Sequence, residues 1–282
     1  EALTRRDIAG AEAVHPEWAA LAAVGMFDIV FPDDGPSVTI VIPTKDKLSL
    51  LRTCLESLRC TTYRNFEVLV LDNGSEEQET LDYFRAIDGT GDIRVVHIPS
   101  PPNGFSFAHL NNEGVRHCSS DYVLFLNNDT EVINPSWLSQ MVGYARLNGV
   151  GAVGARLYFE DGTLQHAGIV HGYHEGLVGH AFRGLPQHDW GYLGFVRSSR
   201  EYSGVTAACL LTPRALFEEL GGFDETNFAV AYNDVDYCYR LVEAGWTCVY
   251  CASAELWHYE GKSRGFTDDP AERANFPRVY GE

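Results

Sequence analysis

The chain has 282 residues, with 21 lysines and arginines against 39 aspartates and glutamates, so its formal net charge is −18. Such an acidic surface would repel a polyanion, which argues against a nucleic-acid-binding protein. Hydrophobic residues make up 45% and charged residues 21%, the balance of a globular chain. We find no apolar run approaching the roughly 18 residues that a membrane-spanning helix needs.

The first 36 residues are predicted to be an N-terminal helical appendage or linker. Residues 11–27 are rich in alanine and predict a helix that Pro16 interrupts. A Pro-Asp-Asp-Gly-Pro stretch at 32–36 then acts as a breaker. A linker from an upstream domain and a helix docked on this domain both stay open. The start at Glu1, without a visible leader, fits a piece of a longer multidomain protein.

Strands and helices alternate from residue 37 onward. Apolar, β-branched runs predict strands at 38–42, 66–71, 93–98 and 122–126, separated by segments of helical periodicity. This order predicts an α/β fold with a doubly wound, mostly parallel sheet and right-handed crossovers.

The second half of the chain is less regular. Helices are predicted at 137–147, 213–220 and 234–244, and strands at 150–158, 205–212 and 247–251. Residues 162–190 are rich in glycine and histidine and have no clear period. We interpret them as a variable loop whose histidines are solvated rather than metal-bound; these are His166, His171, His174 and His180.

Two other patterns lack the context that a binding motif needs. Residues 149–154 match G-x-G-x-x-G, but a helix precedes them and a strand follows, the reverse of a dinucleotide site. Cys248 and Cys251 have redox spacing but lie in a predicted strand, where they face opposite sides. Seven cysteines without framework spacing predict reduced thiols and a cytoplasmic location, with peripheral contact at the inner face of the membrane left open.

Polar side chains follow the strands of the first half, where ligands of such sheets bind. Asp129 comes after a wholly apolar strand, and one carboxylate plus substrate phosphates is a usual way to hold Mg²⁺ or Mn²⁺. An Asx turn that merely closes the strand is the alternative for Asp129. The polar segments are 44–46, 72–73 and 127–129.

Asp234 and Asp236 open a predicted helix. Asn233 is a suitable N-cap, and the helix dipole should keep Asp234 ionised at neutral pH. The functional alternative is that Asp234 is a general base. Acids two positions apart do not share a helix face, so we expect Asp236 to have a different role.

A histidine and two cations occupy a glycine-flanked loop near the end of this acidic chain. His258 is able to bind a divalent ion, and Lys262 and Arg264 are suited to gripping a diphosphate.

Taken in order, these motifs resemble glycosyltransferase family 2 with the GT-A fold, over about residues 37–280. The opening strand and turn, Asp-Asn-Gly-Ser at 72–75 and the Asn-Asn-Asp at 127–129 match the family's nucleotide and D-x-D segments. Gly-Gly-Phe-Asp-Glu at 221–225 with Asn-Asp-Val-Asp at 233–236 is similar to its acceptor-side segment. His258 with Ser-Arg-Gly at 263–265 is similar to the closing loop of the O-antigen and rhamnosyltransferase-like branch.

The resemblance implies a role for each matching position. Asp234 would be the catalytic base, Asp129 and His258 the metal ligands for Mg²⁺ or Mn²⁺, and Asn233 and Asp236 would lie on the acceptor side. Asp72 would accept a hydrogen bond from the nucleobase of the donor. The nucleotide-binding residues would be Pro43, Thr44, Asp46, Asp72, Asn128, Lys262 and Arg264.

The same resemblance implies the reaction. Residues 37–135 would bind a UDP- or dTDP-sugar, and residues 136–282 a glycan or lipid-linked saccharide acceptor, in an inverting single displacement of bacterial surface polysaccharide synthesis. Three positions depart from the family pattern: Asn127 replaces the first Asp of D-x-D, Asn233 replaces Glu, and Asp46 replaces Asn. A sugar nucleotidyltransferase and a catalytically silent glycan-binding module are the competing interpretations.

Overall fold

The computed structural model describes residues 10–102, 104–173, 177–261 and 270–280. Its helices are α1 (Glu17–Leu21), α2 (Leu48–Leu58), α3 (Gln78–Ile87), α4 (Phe107–Val115), α5 (Trp137–Ala145), α6 (Arg214–Glu219), α7 (Asn233–Glu243) and α8 (Pro270–Tyr280).

The strands of the first half are β1 (Glu12–Val14), β2 (Asp28–Val30), β3 (Val38–Thr44), β4 (Phe66–Asp72), β5 (Ile93–His97), β6 (Tyr122–Leu126) and β7 (Thr130–Val132). Those of the second half are β8 (Val150–Tyr158), β9 (Leu164–His166), β10 (Ile169–Tyr173), β11 (Leu177–His180), β12 (Arg200–Tyr202), β13 (Cys209–Pro213) and β14 (Thr247–His258).

One large mixed sheet forms the centre of the fold, in the order β12-β14-β8-β13-β6-β3-β4-β5. The pairs β3–β4, β4–β5, β3–β6 and β14–β8 are parallel, whereas β13 runs antiparallel to both β6 and β8. The predicted doubly wound α/β sheet is confirmed. The antiparallel β13 joins the parallel first half to the second half as one surface.

Helices cover both faces of this sheet because successive side chains of a strand point to opposite sides. Ile40 and Ile42 belong to the core under α2 and α5, while Val41 belongs to the core under α4, α6 and α7. Cys251 and Cys248 divide in the same way, as their spacing predicted. All seven cysteines are described and are free thiols.

The N-terminal segment differs from the predicted alanine-rich helix. Pro16 is extended and acts as the N-cap of α1, which ends before Ala23 takes a left-handed conformation at φ +53°. The residues on either side pair instead as an antiparallel hairpin, β1 with β2. A proline cannot continue a helix from its preceding turn, so only one short helix fits between the strands.

This segment packs against the rest of the domain. Phe31 is 5% exposed and lies edge-on to Tyr144, over Gly143, where a Cβ atom would overlap the Phe31 ring. Trp18 packs on Gly194 in the same manner and contacts Trp190. Across the described residues, no helix has the length and apolar character needed to cross a membrane.

Three predictions for the second half were wrong. The supposed loop at 162–190 contains β9 and the hairpin β10–β11. β13 begins only at Cys209, and β14 continues seven residues beyond the predicted end at 251, to His258. Alternating glycine and histidine carry no hydrophobic period, so strands of that composition escape a search for periodicity.

The contact between Phe31 and α5 predicts a measurable difference between two nearby phenylalanines. Phe31→Ala should lower the free energy of unfolding by about 3 kcal/mol, the usual cost of truncating a buried phenylalanine. Phe27 is 62% exposed, so Phe27→Ala should change it by less than about 0.5 kcal/mol. Urea unfolding of the two variants measures this, and equal losses would contradict the docking of this segment.

Candidate active site

A cavity of about 660 Å³ opens at the carboxyl ends of β3, β4 and β6. Ligands of open α/β sheets bind at this edge. Its walls include four of the predicted nucleotide-binding positions and an aromatic ring from the start of α4. These lining residues are Pro43, Thr44, Asp46, Asn128 and Phe107.

Thr44 and Asn128 are buried together on neighbouring strand ends. The Asn128 amide Nδ2 donates to Thr44 Oγ1 at 2.9 Å. The strand register sets Thr44 opposite Asp72, at the ends of β3 and β4. Three predicted residues are thus brought to one edge of the sheet.

Asp46 ties the loop after β3 to the loop after β4. Its backbone is left-handed at φ +51°, and its N–H donates to Ser75 Oγ at 2.8 Å. Its Oδ1 accepts from the N–H groups of Glu76 and Glu77 at 2.8 and 2.9 Å, at the start of α3. A carboxylate is favoured over an amide at a helix N-terminus, which explains the aspartate at this position.

Asp72 is held from two sides. Its Oδ1 accepts from the Ser75 N–H at 2.8 Å, and its Oδ2 lies 3.0 Å from His97 Nδ1. His97 ends β5, directly opposite Asp72 in the strand register. His97 was not predicted as a site residue, although a histidine at the end of the strand next to the one that ends in Asp72 was a usable signal.

Asp129 and His258 meet although 129 positions separate them. Pairing of β14 with β7 sets His258 opposite Thr130, and His258 Nε2 lies 3.3 Å from Asp129 Oδ1. The Asn127 amide Nδ2 is 3.2 Å from the same Nε2. On the other side of the ring, Nδ1 is 2.7 Å from Gln165 Oε1.

The donor set around Asp129 suits a divalent ion that takes its other ligands from substrate. No group of three or more His, Cys, Asp or Glu side chains in the described part of the chain is arranged to hold an ion. One buried carboxylate and one imidazole are therefore what this site offers. Mg²⁺ and Mn²⁺ commonly bind through few protein ligands, with phosphate oxygens and water completing the shell. A second partner for the ring, here Gln165, is also typical of metal-binding histidines.

Asp234 lies in the first turn of α7, where it contacts the segment before β13. Its Oδ2 accepts from the Ala207 N–H and its Oδ1 from the Val235 N–H, both at 2.9 Å. The next residue, Ala208, accepts from the Asn127 N–H at 3.1 Å. Asp234 is therefore two backbone contacts away from the segment that carries Asp129.

Two opposing effects act on the Asp234 carboxylate. Burial raises the pKa of Asp234 above its ordinary value, while hydrogen bonds from Ala207, Thr206 and Val235 act in the opposite direction. Desolvation of the carboxylate therefore opposes the helix dipole, which was expected to favour the ionised form.

Asn233 and Asp236 have different contacts from Asp234, although they are its neighbours in the sequence. The N-cap of α7 is Tyr232, left-handed at φ +61°, so the expected capping role of Asn233 was wrong. Asp236 is buried in an ion pair with Arg240 at 2.6 Å and accepts from the Tyr280 hydroxyl at 2.5 Å. Arg240 in turn donates to the carbonyls of Leu220 and Gly222, which flank Gly221 in the glycine turn (residues 220–222). Asp236 therefore stabilises this glycine turn and α8. Lys262 and Arg264 lie outside the described residues.

The family model described as "Glycosyltransferase like family 2" matches residues 36–274. The chain belongs to glycosyltransferase family 2.

Two relatives support the O-antigen and rhamnosyltransferase-like branch. This glycosyltransferase is 41% identical over 231 residues to the O-antigen biosynthesis protein RfbC of Myxococcus xanthus, covering 81% of the chain and 18% of RfbC. It is 27% identical over 246 residues to the N-acetylglucosaminyl-diphospho-decaprenol L-rhamnosyltransferase of Mycobacterium tuberculosis, covering 78% and 75%. The chain thus spans less than a fifth of the length of RfbC.

A solved structure of GalNAc-T7 with UDP, GalNAc and Mn²⁺ shares the fold. It superposes with a TM-score of 0.67 at 14% identity, covering 88% of this chain and 48% of that one. The predicted GT-A fold is confirmed.

The histidines interpreted as solvated include one pair in which His166 is buried and His180 is partly buried. His166 is fully buried, and its Nδ1 lies 2.7 Å from His180 Nδ1. Burial, with the nearby Arg183 guanidinium, lowers the pKa of His180 to about 4, and burial also holds the pKa of His166 well below its usual range. His166 is therefore not solvated, and the prediction was wrong for this residue. His174 lies outside the described residues.

The contact between His166 and His180 predicts that stability falls on acidification. An unfolded histidine takes up a proton near pH 6.5, whereas folded His180 does so only near pH 4, so the unfolded state gains protons first. Between pH 7.5 and 5 the wild type should lose about 2 kcal/mol of unfolding free energy through His180. Urea unfolding of wild type and His180→Gln at both pH values isolates this contribution, and identical pH dependence would contradict it.

Proposed function

We propose that this domain is an inverting, metal-dependent glycosyltransferase. It transfers a sugar from a nucleoside diphosphate sugar to a hydroxyl of a glycan or lipid-linked saccharide, in bacterial surface polysaccharide synthesis. One observation carries the proposal, which is how two short segments connect these groups. The segment 127–129 links the cavity at the strand ends to the Asp129–His258 pair. The segment 206–208 contacts Asn127 and also binds Asp234. Nucleotide, metal and base positions are thereby contiguous.

The donor is proposed to be a UDP- or dTDP-sugar bound in the cavity of the 37–135 half. Thr44, Asn128 and Pro43 line that cavity. Asp72, which lies opposite Thr44 in the strand register, would accept a hydrogen bond from the nucleobase. His97, which is hydrogen-bonded to Asp72, would orient that carboxylate. Lys262 and Arg264 remain the proposed diphosphate contacts.

Asp129 and His258 are the proposed ligands of Mg²⁺ or Mn²⁺, with Asn127 beside them. When bound, the ion supplies positive charge that stabilises the departing diphosphate. The replacement of the first D-x-D aspartate by Asn127 removes one negative charge. It also places an amide N–H, and not a second carboxylate ligand, next to the imidazole Nε2.

Asp234 is the proposed base. Each of its oxygens already accepts one backbone N–H, which fixes the plane of the carboxylate and leaves lone pairs for a hydroxyl proton. Burial raises its pKa, which makes the carboxylate a stronger proton acceptor. In a single displacement the acceptor oxygen attacks the anomeric carbon as Asp234 takes its proton, so no enzyme nucleophile is required.

The acceptor is proposed to bind in the 136–282 half. A second cavity there, of about 840 Å³, is lined by aromatic rings and two arginines. It borders the hairpin β10–β11, which packs on α7 through Ile169 and Val235. Aromatic faces are suited to stacking on sugar rings. The lining includes Phe182, Phe195, Tyr202, Arg183 and Arg200.

Removing the basicity of Asp234 tests its proposed role. Asp234→Asn keeps the shape of the side chain, so transfer should fall by about 10²–10⁴-fold while UDP affinity changes little. Glu243→Gln, at the exposed end of the same helix, should leave both unchanged. The two variants are compared by initial rates and by calorimetric UDP titration. Near wild-type transfer by Asp234→Asn would reject Asp234 as the base and make Asp224 the next candidate.

The metal is tested on a panel of UDP- and dTDP-sugars assayed for hydrolysis and transfer with Mg²⁺ or Mn²⁺. Activity should disappear in excess EDTA, and Asp129→Asn should weaken UDP binding in Mn²⁺ but not in EDTA, because metal and nucleotide bind together. Asp92→Asn, on the exposed turn just before β5 and at the opposite end of that strand from His97, is the matched control. Full activity in EDTA rejects the metal role, and inactivity on every donor favours the silent glycan-binding module.

A further inference from the structure

One side chain outside the predicted motifs contacts His258 on the face away from Asp129. Gln165 lies in β9, whose three residues are all buried, and is itself 3% exposed. Its Oε1 is 2.7 Å from His258 Nδ1, and its Nε2 is 3.2 Å from Glu260 Oε2 and 3.5 Å from the His258 carbonyl.

The orientation of the Gln165 amide follows from Glu260. A carboxylate and a carbonyl only accept, so the nitrogen of the amide must face them and the oxygen must face His258. Glu260 is held in turn by Arg183, whose Nη2 is 3.4 Å from the same Oε2. A flipped amide would bring Gln165 Oε1 against two other acceptor oxygens, which is unfavourable.

The amide orientation fixes the imidazole. Because Gln165 Oε1 accepts, His258 Nδ1 must carry the proton, and the neutral ring then has its lone pair on Nε2. Asn127 is compatible with the same tautomer, since its Nδ2 lies 3.2 Å from Nε2, and a bound ion would take the place of this contact. Nε2 is the atom 3.3 Å from Asp129 Oδ1, so the lone pair points to the proposed ion.

We propose that Gln165 is a positioning residue that sets the tautomer of His258 and thereby directs the Nε2 lone pair to the metal beside Asp129. The inference rests on the metal-dependent function proposed above. It extends the site to a chain of contacts, Arg183 to Glu260 to Gln165 to His258, which was not visible in the motifs. Outer partners of metal-binding histidines typically change metal affinity by 10–100-fold when removed.

The test measures Mn²⁺ binding rather than turnover, by electron paramagnetic resonance with UDP as the only nucleotide. Gln165→Met removes both contacts and should weaken Mn²⁺ binding by about 10–100-fold. The double variant Gln165→Glu with Glu260→Gln exchanges the amide and the carboxylate. The carboxylate at position 165 then accepts from His258 Nδ1, and the amide at position 260 donates to that carboxylate. Its Mn²⁺ affinity should lie within about threefold of wild type, an expectation based on the same outer-partner effect.

A second background separates positioning from general damage. In His258→Ala, adding Gln165→Met should weaken Mn²⁺ binding no further, because the residue acts only through the imidazole. UDP affinity in EDTA and the urea midpoint report on folding in every variant. Gln78→Met, on the exposed start of α3, is the remote control.

The outcomes distinguish this inference from the function on which it rests. If wild type binds no Mn²⁺ with UDP, the metal-dependent function fails and the inference with it. Wild-type Mn²⁺ affinity in Gln165→Met, or an unrescued double variant, overturns the role of Gln165 alone. So does a further loss in the His258→Ala background.

Discussion

The geometry of the site depends on the register of β14 beyond its bulge. Residues 252–254 have no partner in β8, and pairing resumes with Glu255 opposite Arg156. The buried Arg156 and the partly buried Glu255 form an ion pair at 2.6 Å, and the Glu255 N–H donates to Asn134 Oδ1 at 2.8 Å. A slip of one residue would turn every later side chain to the other face of the sheet. The ion pair therefore fixes the face on which His258 emerges, three residues later.

The same register explains which parts of the fold could be predicted from the sequence. The strands of the first half are continuous apolar runs, and their helices have clear periodicity, so local pattern and tertiary structure agree. β14 carries Ala252, Ser253 and Ala254 in its middle, which interrupts the pattern. The strand was therefore predicted to end at 251, and His258 was assigned to a loop, although it ends a twelve-residue strand.

The candidate site divides along similar lines. Asp72, Asn128, Asp129 and Asp234 could be named because each follows a strand or opens a helix, where topology brings such residues to one edge. Gln165 could not be named. It is an isolated polar residue in a buried three-residue strand, and only the pairing of β9 with β8 brings it to His258. The burial of His166 could not be predicted for the same reason. An isolated polar residue gives no periodicity that would show which face of its strand packs against the core.

Asp234 and Asp236 show how neighbouring acids acquire different chemistry from their partners. Asp236 faces a guanidinium and a phenol, and this charge pairing makes it a structural anchor for the glycine turn. Within the described part of the chain, Asp234 forms no ion pair, and its hydrogen bonds come from backbone N–H groups and the Thr206 hydroxyl. A cation at that position would lower the pKa of Asp234 and occupy its lone pairs. Neutral donors orient the carboxylate while burial keeps its pKa raised, and both properties suit the base proposed here, which would accept a hydroxyl proton.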